Sequence, residues 1–271
     1  NQNCFVDPFY RACYIALNGL IEEFNDIKID ESILLQQLEE KKLVREINIH
    51  KEIITGILFF LPSTEVYEDA YEYDISEELL LTCSLDKTIK LSKNFKVVHS
   101  FTEHCDWIRC IAIDKSRRHF LSGCISSIIK YWDLEKRRVI FDIQSPVSSQ
   151  FLNNVNSIFF LNQSDNVFLA GFREGMIKVF DVRTKGNMPL NEFKGHNNKL
   201  NGLNISKNNN YLISSGRDSV GRLWDMRNLP YKNKSVEENK VLSSYIGHKS
   251  INYNINLSFF NNECNTITGS E

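Results

Sequence analysis

Three groups of residues in this chain carry side chains that can do chemistry. His104, Cys105, Cys110, His119 and Cys124 bring imidazole and thiol donors together in the sequence. A structural zinc site wants Cys or His pairs about two to four residues apart on a loop. These five fall on strand-like segments, so packing is the expected role, with no metal and no cofactor. Ser214, His196 and Asp218 are the residue types of a hydrolase triad. A triad needs a nucleophile and base facing a substrate pocket with an oxyanion hole. Here the trio recurs by position in repeated segments, so it is expected to be buried and structural, and the chain is read as no enzyme. The third group is basic: Lys115, Arg117 and Arg118 in one turn, Lys136, Arg137 and Arg138 in another. Both turns suit solvent, or an anionic partner such as a phosphate backbone or an acidic peptide. The sequence holds no P-loop, no Gly-rich dinucleotide fingerprint and no HExxH.

The elements that position these residues repeat. Ser122-Gly123-Cys124 leads to Ile129-Lys130-Tyr131-Trp132-Asp133, and Ala170-Gly171-Phe172 leads to Ile177-Lys178-Val179-Phe180-Asp181. Ser214-Ser215-Gly216-Arg217-Asp218 then leads to Gly221-Arg222-Leu223-Trp224-Asp225. The closing Asp residues stand 48 and 44 positions apart, close to the ~40–45 residues of a four-stranded propeller unit. Segments such as Asn201–Ser206, Tyr211–Ser215 and Gly221–Asp225 are short, β-branched or aromatic-rich and bounded by polar turns, which predicts strands. Strands this short bury a face only by stacking with other units.

Over roughly residues 50 to 271 these features resemble the WD-repeat family. Gly195-His196 and Gly247-His248 open two units, and Glu103-His104 takes that place earlier. The resemblance implies an all-β WD-repeat β-propeller, with a buried His, Ser or Thr, Asp and Trp network in each blade. The fourth blade matches in full with His196, Ser214, Asp218 and Trp224. The second has His104, Ser122 and Trp132, with Ser126 in the Asp place. The third carries Ala170, Glu174 and Phe180 instead. The first fits around Thr82 and Asp86, with Ser92 in the Trp place, and the fifth has His248 and Thr268. That makes about four and a half blades of the usual seven. The chain starts without Met and stops at Glu271 inside a strand-like segment. The expectation is a propeller over 49–271 truncated at its C-terminus, the ring being completed by further sequence or a partner chain.

Residues 1–48 read as a short α-helical segment. Asp7-Pro8 is a helix start, and Phe9, Cys13, Leu17, Leu20, Ile21 and Phe24 recur at helical spacing. Asp30 would cap a second helix with Ile33, Leu34, Leu38 and Leu43. Leu17–Phe24 also resembles the LisH dimerisation motif; the plainer reading is a helical pair packed on the propeller. Ser63–Ser76 forms an acidic insertion, and Asn228–Lys240 a long polar one.

Formal charge is −2 and 42% of the 271 residues are hydrophobic, so a core is affordable while no global basic field recruits nucleic acid. There is no run of eighteen apolar residues and no signal-peptide pattern, which predicts neither a membrane span nor secretion. Seven scattered cysteines suit reduced thiols in nucleus or cytoplasm. The expected function is a non-catalytic protein–protein scaffold in a multi-subunit assembly.

The most specific signal is the pair Asp181-Val182-Arg183 and Asp225-Met226-Arg227. Leu212–Arg227 resembles the motif of WD-repeat substrate receptors of cullin–RING ubiquitin ligases. In those receptors the Arg lies on the face that docks the ligase adaptor. The resemblance therefore implies Arg183, Arg227, Asp181 and Asp225 as partner-binding residues. The alternative is a subunit of an RNA-processing or spliceosomal complex with direct RNA contact, in which each Arg caps a turn or pairs with an acid.

Overall fold

The computed structural model describes residues 49–60, 79–93, 96–144, 153–161, 165–184, 188–227, 241–250, 257–260 and 265–268. The helices expected within 1–48, and the whole of both insertions, lie outside these residues. Among the described residues there is no α-helix; one 3₁₀ turn spans Val182–Thr184.

The strands form four antiparallel four-stranded sheets and one two-stranded sheet. The first sheet runs β1 (Ile54–Phe60), β2 (Leu79–Ser84), β3 (Ile89–Lys93), β4 (Lys96–Phe101). The second is β5 (Ile108–Ile113), β6 (His119–Cys124), β7 (Ile128–Asp133), β8 (Arg138–Gln144). The third is β9 (Val155–Phe160), β10 (Val167–Phe172), β11 (Met176–Asp181), β12 (Asn191–Lys194). The fourth is β13 (Leu200–Ile205), β14 (Tyr211–Gly216), β15 (Val220–Asp225), β16 (Val241–Ile246), followed by the pair β17 (Leu257–Phe260) and β18 (Asn265–Thr268). Each sheet is a meander, and first strands contact one another in succession, β1 on β5, β5 on β9, β9 on β13 and β13 on β17. This is how propeller blades stack.

Alternation along the strands explains the stacking. In β10 every residue is buried, because successive side chains point to opposite blades. Phe168 and Ala170 join Leu121, Ile129 and Ile158 between the second and third blades. Leu169 joins Leu203, Leu212 and Trp224 between the third and fourth. The outermost strand of the fourth sheet, β16, is almost wholly exposed. Close approach demands glycine at two matching positions. A Cβ on Gly123 would lie 2.6 Å from Val155, and one on Gly171 2.5 Å from Leu200.

A repeated bulge marks the start of each first strand, where Thr55, Arg109, Asn156 and Asn201 are skipped in the pairing register. A bulged residue re-aims its side chain. Thr55 Oγ1 donates to the Ile108 carbonyl at 2.8 Å, Asn156 Nδ2 to the Leu200 carbonyl at 2.6 Å, and Asn201 Nδ2 to Ser250 Oγ at 2.7 Å. Side-chain links thus join these three blades to the segment that follows each.

Candidate functional site

Each blade presents two faces. On the upper face lie the second-to-third-strand turns and the entries into the first strands. The lower face carries the first-to-second and third-to-fourth turns.

The polar networks sit under the upper face. In the fourth blade Trp224 Nε1 donates to Ser214 Oγ at 2.9 Å, and Ser214 Oγ lies 2.8 Å from His196 Nε2. His196 Nδ1 is 2.9 Å from Asp218 Oδ1, and Arg222 donates to Asp218 Oδ2 at 2.9 Å. A carboxylate only accepts, so His196 donates from Nδ1 and receives the serine hydroxyl at Nε2. Burial holds the His196 imidazole below its ordinary pKa. Burial alone would raise the Asp218 carboxyl, but hydrogen bonds from His196 and Arg222 push it well below the usual range. A Cβ on Gly216 would meet His196 Nδ1 at 2.4 Å, so the residue beneath the ring must be glycine.

Although these distances resemble a hydrolase triad, the serine and its histidine are closed off from solvent. Ser214 is fully buried and His196 nearly so. The indole N–H already occupies the serine oxygen, and a nucleophile must reach a substrate.

In the second blade His104 Nε2 lies 2.6 Å from Ser122 Oγ, to which Trp132 Nε1 donates at 2.7 Å. Ser126, in the Asp place, contacts Cys124 Sγ at 3.0 Å instead. Burial and the nearby Lys130 lower His104 from 6.5 to about 4. Its unfolded form therefore binds a proton more readily than its folded form. Stability from this residue is complete above about pH 6.5 and is lost as pH falls toward 4, a loss on the order of 3 kcal/mol. Denaturant titrations across that window should show the decline, and a flat profile would contradict it.

The first blade holds a residue that the sequence reading missed. His50 Nε2 lies 2.8 Å from Thr82 Oγ1, and His50 Nδ1 2.9 Å from Asp86 Oδ2. Asp86 is lowered to about 2: burial opposes this, and hydrogen bonds from Thr88 and His50 outweigh it. Spacing hid His50. It precedes its hydroxyl partner by 32 residues, against 18 for both His104 and His196. Ser92 does occupy the tryptophan place, paired across from Leu80 as Trp132 is from Phe120. In the third blade Ala170, Glu174 and Phe180 stand where expected, and Phe180 stacks on Phe168 at 5.3 Å. His248 is half-buried, and the side chain of Thr268 lies outside the described residues.

The five candidate metal donors do not converge. His104 serves the network, and Cys110 Sγ points toward the Val155 carbonyl at 3.7 Å. Cys124 turns to Ser126, His119 Nδ1 lies 3.1 Å from Asp114, and Cys105 is exposed.

On the lower face Arg183 and Arg227 occupy one slot in successive blades, just beyond the third strand. Each guanidinium forks onto the carboxylate two residues earlier. Arg183 Nε and Nη2 reach Asp181 at 3.0 and 2.6 Å, and Arg227 Nε and Nη2 reach Asp225 at 2.9 and 2.5 Å. The same carboxylates accept the arginine backbone N–H at 2.9 and 3.0 Å. Hydrogen bonds from Arg183 lower the Asp181 carboxyl, and those from Arg227 lower Asp225 to about 2. The side chains nevertheless remain 67% and 59% exposed. In the second blade Asp133-Leu134-Glu135 lacks the arginine, and Asp133 pairs with Lys136 at 3.3 Å. The two basic turns share this face. Arg117 and Arg137 take left-handed φ of 56° and 54°, and buried Asp114 ties the first turn through Ser116 Oγ and Arg118 N.

The WD domain, G-beta repeat model matches residues 95–133 and 187–225. Each match runs from the outer strand of one blade through three strands of the next and ends on a Trp-Asp pair. Autophagy-related protein 16 of Arabidopsis thaliana is 31% identical over 49% of this chain and 25% of its own length. A DDB1- and CUL4-associated factor 11 homolog of Caenorhabditis elegans is 27% identical over 46% of this chain and 22% of its own. Nuclear distribution protein nudF of Aspergillus niger is 22% identical over 56% of this chain and 41% of its own. The chain thus spans less than half the length of these relatives. With its repeated blades and its His–Ser–Trp networks, the chain is similar to WD-repeat proteins, and the two matched segments are WD repeats.

Proposed function

We propose that this chain is a non-catalytic interaction scaffold whose lower face docks the adaptor of a cullin–RING ubiquitin ligase. The observation that carries the reading is the repeated Asp–X–Arg fork. Two successive blades hold an exposed guanidinium in the same orientation, each fixed by its own carboxylate. Fixing the fork beforehand reduces the ordering cost when it meets a carboxylate or carbonyl on a docked protein. The Caenorhabditis elegans relative, named for association with DDB1 and CUL4, supports an adaptor of the DDB1 kind. RNA is the second partner class, favoured by the six cations of the two basic turns. The alternative of an RNA-processing subunit rests on them.

Arg183→Ala with Arg227→Ala tests the reading. Both side chains are exposed and outside the core, so the variant should melt with wild-type behaviour. Binding of purified adaptor to the immobilised chain should fall by about tenfold or more. Unchanged adaptor binding would remove these arginines from the interface. Absence of binding by the wild type would end the adaptor proposal, while a drop in melting temperature would make the forks structural.

A further inference from the structure

The upper face is built on one backbone contact repeated in the four four-stranded blades. The residue after the second strand donates its N–H to the carbonyl of a residue at the entry to the first. The pairs are Leu85 to Ile53 at 3.0 Å, Ile125 to Trp107 at 3.0 Å, Arg173 to Asn154 at 2.8 Å and Arg217 to Lys199 at 2.8 Å. These locks set eight residues at equivalent places, and their chemistry divides by blade. The first two blades contribute Ile53, Leu85, Trp107 and Ile125, with Ile53 60% and Trp107 48% exposed. A pocket there is lined by Glu52, Leu85, Asp86, Lys87 and Trp107. The next two blades contribute Arg173, Lys199 and Arg217.

Arg109 joins the cations from the bulge of β5. Lys199 is held below its ordinary pKa first by Arg173, then by burial, Arg217 and Arg109, so the three arginines all lie near enough to act on it. Asp218, in the same turn as Arg217, is engaged by His196 and Arg222. Glu174 follows Arg173 in the same turn. A surface that gathers like charge in this way is complementary to an anion.

Resting on the scaffold reading, we propose that this upper face binds an acidic protein segment carrying a hydrophobic anchor. Its carboxylates face Arg109, Arg173, Lys199 and Arg217, and its apolar side chain seats against Trp107, Leu85 and Ile53. The apolar half separates a peptide from a nucleic acid. A base stacked on Trp107 brings its phosphate with it, and the pocket there sets two carboxylates, Glu52 and Asp86, against one cation, Lys87. A peptide can be acidic at one end and apolar at the other, as this face is basic at one end and apolar at the other. Exposed aromatics beside cations are the usual anchors of protein interfaces.

Fluorescence anisotropy on the full chain tests the proposal with three labelled probes. One is a short Glu/Asp-rich peptide ending in Leu-Phe, the second its Lys-substituted counterpart, and the third an oligouridine of matched charge. The acidic peptide should bind, and the lysine peptide should not. Arg173→Glu with Lys199→Glu, and separately Trp107→Ala, should each weaken the acidic peptide by about tenfold or more. Arg173→Gln with Lys199→Gln replaces the reversal if that variant does not fold. Acidic-peptide binding indifferent to these changes, or absent, overturns the proposal. Tighter binding of oligouridine that is lost in the same variants would assign the face to RNA instead. Arg183→Ala with Arg227→Ala should leave peptide binding intact, so failure of the adaptor reading and failure of this one are read separately.

Discussion

Replacing His196 with Ala should lower the stability of the described domain by about 4 kcal/mol, among the largest effects of any single substitution here. The ring makes two hydrogen bonds in a site that water does not reach. Its loss leaves the Ser214 hydroxyl without an acceptor and Asp218 without its main donor, with Arg222 and the backbone N–H groups of Asn197 and Val220 still donating to the carboxylate. Each orphaned group costs about 1–3 kcal/mol, more when charged. The vacated volume adds a packing loss beneath Gly216. Urea titration followed by Trp224 fluorescence measures the change directly. A loss below about 1 kcal/mol would show that the network contributes little and that packing alone holds the blade.

The second large effect is at Trp132. It is fully buried, stacks on Phe120 at 5.4 Å and meets Phe101 edge-on at 5.1 Å. Trp132→Ala should cost about 3–5 kcal/mol from lost burial and the cavity left behind. The informative experiment is the cycle of Trp132→Phe and Ser122→Ala. The third blade already carries that combination: Ala170 and Phe180 replace the hydroxyl and the indole together, and Leu152 stands eighteen residues before Ala170, where histidine stands elsewhere. Removing both ends of a hydrogen bond costs far less than stranding one end. The double variant should therefore be more stable than the sum of the singles by about 1–2 kcal/mol, the remaining cost falling on His104. Additive losses would mean that the third blade tolerates its substitutions for some other reason.

Much of this architecture was legible in the sequence because period and residue type agree. The repeated apolar-aromatic segments ending in Asp133, Asp181 and Asp225 gave the third strands, and the preceding Ser or Ala gave the second. What escaped has definite physical reasons. His50 lies beyond the acidic insertion, fourteen residues further from Thr82 than the repeat spacing allows, so a search at fixed spacing passes over it. Thr55, Asn156 and Asn201 look like stray polar residues in apolar strands; only the bulged register shows that they reach the following segment. Arg109, Arg173, Lys199 and Arg217 are scattered over more than a hundred residues, and stacked blades bring them together. The arginine forks lie between these cases. The Asp–X–Arg repeat was visible, but the sequence could not say that each arginine engages its own aspartate while staying exposed.

The central claim is that this chain works by holding other proteins. Affinity purification of the full chain from cells, with and without nuclease digestion and followed by mass spectrometry, tests it most directly. The account predicts a discrete set of proteins, a cullin–RING adaptor among them, recovered equally well after digestion because protein–protein contacts survive loss of the nucleic acid. Disappearance of the whole set after nuclease treatment would contradict it and assign the partners to a bound RNA.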